Sequence, residues 1–288
     1  MSARSPRSAR FPRSPRSACP ALDDRIDRLR QIAHSDDRLE GVLLYGSWTL
    51  GEADAHSDIE AYLYIREDRL DDFDGPAFLE QLAPLSLAYT NMYGVLAVVF
   101  DDLMRGEFHL TAAGPGIDEV PSWAGMVHLP RPEQAVLLDR TGRLTGAAKE
   151  LAEFRPPEPV GAGQRLVDEL TNWTLMLAHV LARGETARAH ALLHTVVAPQ
   201  QLQLCRLLRG STAHWLTPSR ALERDLPAAD RHRYAATTAV ARDADMRAAA
   251  RRSWGWSRDL GEEAAERWGV RLPRALHDRI SGLLSGLG

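Results

Sequence analysis

Apolar residues return at steps of four and three through Leu22, Ile26, Leu29 and Ile32, the spacing of one buried face of a helix over 21–34. The period then shortens. Leu43-Leu44-Tyr45 is a compact apolar run stopped by Gly46-Ser47, and Ile59 with Ala61-Tyr62-Leu63-Tyr64-Ile65 is another, so strands are predicted over 41–45 and 58–65 with a polar loop between them. A helix carrying acids is read over 70–82, interrupted near Gly75-Pro76. The β-branched run 95–100 predicts a central strand, and 106–110 a short one on which Glu107 and His109 share a face. An extended piece over 125–129 and a short helix after Thr141-Gly142 complete this part.

Three prolines and two glycines within 155–163 break the pattern, and beyond them the period is helical. Leu166, Leu170, Trp173, Leu177 and Val180 form one seam, which Gly184 ends. Ala189, Leu192, Leu193, Val196 and Val197 form a second, interrupted by Pro199 before 202–208 resume. Leu260, Ala264 and Trp268 mark another helix, and Pro273 opens a last one with Leu276, Ile280, Leu283, Leu284 and Leu287 inward. The expected organisation is α+β: a tail over 1–20, a mixed-sheet domain over 21–155, and a bundle of about five helices over 160–288.

Composition narrows what such a chain can do. It has 288 residues and 44% hydrophobic content, enough for real cores, and no apolar run long enough to span a membrane. Residues 1–20 repeat Arg-Ser-Pro units with one large apolar residue, Phe11, and are expected to be disordered. The formal net charge is −4, and that tail holds five arginines and no acid, so the rest is more acidic still. An acidic body lacks the basic track a nucleic-acid substrate needs, so the substrates are expected to be small. Cys19 and Cys205 are the two cysteines, which predicts no disulfide and a reducing, cytoplasmic setting.

Candidate chemistry concentrates around Gly46. A glycine lets backbone approach a ligand closely, and Ser47 adds a hydroxyl beside it; together they suit a triphosphate. Asp58 and Glu60, alternate residues of a strand, point the same way. Two carboxylates on one face repel unless a cation offsets them, and Mg2+ takes hard oxygen ligands while bridging to phosphates. His190 and His194 are one helical turn apart but lack the glutamate and third ligand of a zinc motif, so metal binding is not expected there. Trp173, Trp254, Trp256 and Trp268 are expected to be core.

The string YGSWTLGEADAHSDIEAYLYI resembles the signature of DNA polymerase beta-like nucleotidyltransferases, a Gly-Ser followed by an acid, an apolar residue and an acid. Taken with RGEFHL at 105–110, and more weakly with LARGETARAHALLHTVV and RGSTAHWLTPSRALERDL, it is similar to the lincosamide nucleotidyltransferases. The resemblance implies a Mg2+-dependent enzyme that transfers AMP from ATP to a hydroxyl of lincomycin or clindamycin, an antibiotic-resistance activity. It implies that Asp58 and Glu60 ligate the metal and that Glu107 is the general base, while Gly46 and Ser47 hold phosphates. The second acid is a glutamate where many superfamily members carry aspartate, which leaves one or two metals open. An aminoglycoside acceptor and a non-catalytic binding or antitoxin module are the alternatives. The helical domain is expected to bind substrate, from a cleft between the domains, and is a candidate for homodimerisation.

Overall fold

The computed structural model describes residues 18–287, so the tail expected over 1–20 lies outside the described residues as far as residue 17. Its last residues differ from expectation. Pro20 sits in the first turn of helix α1 (Pro20–Ser35), where its missing N–H costs nothing, and Cys19 is buried. The chain divides between Arg155 and Pro156 into two compact units.

The first unit is built on a six-stranded mixed sheet. Its strands are β1 (Leu39–Leu44), β2 (Ile59–Ile65), β3 (Leu85–Thr90), β4 (Leu96–Phe100), β5 (Arg105–Ala112) and β6 (Val136–Asp139), in the order β3-β4-β5-β2-β1-β6. Only β2 and β5 run parallel, with Glu60 opposite Glu107 and Ala61 opposite Phe108; the other neighbours are antiparallel. The alternation of the strands separates two cores. Val42, Leu44, Ala61, Leu63, Ile65, Val98 and Phe108 pack with α1 and helix α3 (Gly75–Glu80) on one face. Leu43 and Tyr64 pack on the other with helix α4 (Ala113–Glu119) and helix α6 (Arg143–Lys149). Short helices α2 (Ser47–Leu50) and α5 (Pro132–Ala135) lie between strands.

Three expectations are corrected here. Gly75-Pro76 opens a helix instead of interrupting one, because Asp74 accepts the Ala77 N–H as its N-cap and Pro76 suits the first turn. The expected extended piece over 125–129 is not a strand: it follows the 3-10 turn Val120–Trp123 and holds a turn at 125–126 and one end of an isolated bridge between Ala124 and Val127. Two strands were not expected: β3, in which Leu85, Leu87 and Tyr89 alternate with Ser86, Ala88 and Thr90, and β6, a short apolar run without alternation.

The second unit is helical: α7 (Pro159–Ala182), α8 (Thr186–Leu192), α9 (Ala198–Arg209), α10 (Leu222–Asp225), α11 (Ala228–Ala236), α12 (Asp243–Trp268) and α13 (Arg274–Ser285). The Pro/Gly-rich stretch therefore does not exclude a helix. Glu158 caps α7 by accepting the Val160 and Gly161 N–H groups, Pro159 takes the first position, and Gly163 lets the Trp268 ring pack close. Nor does Pro199 end its helix. A π-helical turn, Leu193–Val197, joins α8 to α9, and the widened backbone there accommodates the proline ring. The core comes from Leu166, Leu170, Leu177, Val180, Leu202, Trp254, Trp256, Leu260, Ile280 and Leu284, with Trp173 and Trp268 partly buried against it. No helix among the described residues is long and apolar enough to cross a membrane.

Candidate active site

One end of the sheet collects the residues singled out from the sequence. There β1 ends, while β2 and β5, being parallel, both begin, so Tyr45, Gly46 and Ser47 meet Asp58, Glu60, Arg105, Glu107 and His109. The turn after β1 is held from two sides. The Tyr45 N–H donates to the Glu60 carbonyl at 3.2 Å, and the Trp48 indole N–H donates to Asp23 Oδ1 on α1 at 2.8 Å. Thr49 Oγ1 donates to the Gly46 carbonyl at 2.8 Å and closes the turn. In the loop that follows, Asp54 Oδ1 accepts the His56 N–H at 2.8 Å, and Ser57 Oγ accepts the Asp54 N–H at 2.9 Å, fixing the approach to Asp58.

Gly46 is required twice over. Its φ is +78°, and a Cβ there would stand 1.6 Å from Glu60 Oε2, so the Glu60 carboxylate lies directly over its Cα. Ser47 is 6% exposed, and its Oγ is buried without a hydrogen-bond partner. A buried hydroxyl left without a partner costs free energy, which marks it as a group arranged for something other than the fold. The carboxylates are divided. Glu60 faces the Gly46 turn, whereas Asp58 and Glu107 share one cation: Arg105 Nη1 is 3.6 Å from Asp58 Oδ2 and its Nη2 is 3.2 Å from Glu107 Oε1. Among the described residues no three His, Cys, Asp or Glu side chains stand in metal-holding geometry. That holds for His190 and His194 too, whose rings are 4.5 Å apart.

Behind the acids lies an aromatic cluster that sequence reasoning missed. His109 stacks on Tyr62 with ring centroids 4.0 Å apart and planes 8° from parallel, as their opposed positions on β5 and β2 allow. Tyr45 Oη and His109 Nε2 are 3.1 Å apart, and Trp123 packs on Tyr62 at 4.7 Å. Burial pushes the Tyr45 phenol far above its ordinary range, and the charges of Glu60, Glu107 and Asp58 add to it. Burial pushes the His109 imidazole below its usual value, so it is neutral at pH 7. A neutral imidazole can accept the Tyr45 proton in a hydrogen bond. The missed signal was the i, i+2 spacing of Arg105 with Glu107; the shared face of Glu107 and His109 was read, but not the rings that His109 meets. Tyr45 gave none, since it ends an apolar run.

The donor set suits a divalent cation with a triphosphate. Asp58 and Glu60 supply hard oxygens, the missing side chain of Gly46 lets the Glu60 carboxylate lie against the turn, and the orphaned Ser47 hydroxyl can meet a phosphate oxygen. Glu107 stands in register beside Glu60 on the neighbouring strand.

Residues 162–282 match the family model described as "Lincosamide nucleotidyltransferase-like, C-terminal domain". The helical unit is thus similar to that domain, in agreement with the resemblance drawn from the sequence. Among solved structures, an aminoglycoside 6-adenyltransferase from Bacillus subtilis matches with a TM-score of 0.42 and 13% identity, covering 92% of this chain and 98% of that one. A search of curated proteins returned no match.

Proposed function

We propose, from the kinship of the helical unit with a lincosamide nucleotidyltransferase-like domain, that the chain transfers AMP from ATP to a hydroxyl of a lincosamide such as lincomycin or clindamycin. The observation that carries the chemistry is the Glu60 carboxylate over the Gly46 turn, with Glu107 in register beside Glu60 on the parallel strand.

In this reading Asp58 and Glu60 hold Mg2+, which supplies charge neutralisation on the phosphate oxygens. The Gly46 turn holds the triphosphate beside the Glu60 carboxylate for which the glycine makes room, and Ser47 Oγ donates to a phosphate oxygen. Glu107 takes the proton of the acceptor hydroxyl as its oxygen bonds to the α-phosphorus; the bond to the β-phosphate bridging oxygen breaks and pyrophosphate leaves. The neutral His109 and the Tyr45 phenol hold each other and keep this end of the sheet rigid without adding charge.

The deciding experiment incubates pure protein with ATP, Mg2+ and a panel of lincosamides and aminoglycosides, then weighs the products. The expected result is one added AMP on a lincosamide and pyrophosphate in equal amount. AMP on an aminoglycoside would move the acceptor class, and no product from any acceptor or nucleotide would leave a binding module.

A further inference from the structure

We propose that Arg105 couples metal entry to triphosphate entry, a positioning role resting on the nucleotidyl-transfer reading above. Its guanidinium stands between Asp58 and Glu107, 3.6 Å and 3.2 Å from their oxygens, and neutralises part of the repulsion among the acids. A divalent cation ligated by Asp58 would sit about 2 Å from that oxygen. The two cations would repel one another across the one Asp58 carboxylate, so each weakens the hold of the other on it.

Competition of this kind has a direction. The Arg105 side chain is 60% exposed, against 27% for Asp58 and 31% for Glu107, so it is anchored at its tip and free to swing outward. Released alone, it leaves an ion pair for water. Released while a polyanionic triphosphate arrives with the metal, it gains phosphate oxygens that match its fork of N–H donors. Arg105 therefore penalises the bare cation and favours the metal–triphosphate complex. Its position follows from the strand: as the first residue of β5 it shares a face with Glu107, two residues on, and opens toward solvent where the sheet ends.

The test titrates Mn2+ into the nucleotide-free protein, following free Mn2+ by its paramagnetic resonance, and repeats this with ATP present. For Arg105→Gln the affinity for bare Mn2+ is expected to rise about two- to fivefold, the range of one exposed ion pair, while affinity for Mn2+-ATP falls. Arg105→Lys keeps the charge and is expected to lie between the two. If wild type binds Mn2+-ATP but Arg105→Gln leaves the bare Mn2+ affinity unchanged or weaker, the coupling role is overturned and the transfer reading stands. If wild type binds no Mn2+ even with ATP, both fall.

Discussion

At the scale of single residues, the Gly46 turn separates cost to the fold from cost to the chemistry. Ser47→Ala removes a buried hydroxyl without a partner, so thermal stability is expected to hold or rise slightly while the KM for ATP increases. A fall in melting temperature together with unchanged KM would show that the hydroxyl serves the fold. Gly46→Ala is expected to lose turnover and about 1–2 kcal/mol of stability, because φ +78° strains any L side chain and the new methyl displaces Glu60. Asp58→Asn should lower turnover by on the order of a hundredfold or more with little change in unfolding temperature. Glu107→Gln should lower the chemical step by roughly a hundredfold to ten-thousandfold yet leave Mn2+-ATP binding intact; equal loss of binding in both variants would make Glu107 a ligand. Alternation along the strand was legible from Ile59 onward, but Asp58 stands one residue before β2, and its carboxylate goes to Arg105 while that of Glu60 lies over Gly46. Arg105 was not legible, because an arginine beside an acid reads as a solvated pair until the parallel neighbour brings Asp58 alongside. Gly46 was read as a point of close approach, but that Glu60 fills the space is a tertiary fact.

At the scale of elements, the longest irregular stretch of the helical unit hangs on one side chain. Arg206 of α9 is fully buried; it donates to the Pro218, Ser211 and Arg220 carbonyls and to Asp225, which also sits 2.7 Å from His214 Nδ1. Arg206→Met should cost about 3–5 kcal/mol, since it takes this donor from three carbonyls and leaves Asp225 with only His214 and Arg224, and should open 211–225 to proteolysis before the rest of the unit. An unchanged cleavage pattern would show that the loop is held by its other contacts. Although burial opposes it, hydrogen bonds from Arg224, His214 and Arg206 hold the Asp225 carboxyl at about 2, below its ordinary value. The unfolded chain then binds the proton more readily, so this contribution is present above about pH 4 and is lost as the pH falls toward 2. Comparison of wild type with Asp225→Asn by denaturant unfolding between those values checks the sign. Helices with regular apolar steps, such as α1, α7 and α13, were legible in the sequence because burial on one face imposes that period. The continuity of α8 with α9 was not, because Pro199 signals a break and only the π-helical turn before it absorbs the ring. The edge strand β3 was missed although Leu85, Leu87 and Tyr89 alternate with Ser86, Ala88 and Thr90, a signal only six residues long.

At the scale of the whole molecule, the two cysteines lie in different units and both are buried, Cys205 with a thiol pushed up to about 12 by burial. A thiol reagent is expected to find almost nothing in the native protein and two thiols after denaturation, and reductant should not move the melting temperature. The parallel seam between β2 and β5 carries a different consequence, one of timing. Glu60 and Glu107 become neighbours only when a connection spanning 66–104, with its own β3-β4 hairpin, has brought β5 back beside β2. Closing so long a loop is slow compared with winding helices. After dilution from denaturant, ellipticity from the helices should therefore recover well before the ability to capture Mn2+-ATP, and the lag would clock the zipping of that one seam. Simultaneous recovery would mean that β2 and β5 meet as early as the helices form, and that the last-formed part of the protein lies elsewhere.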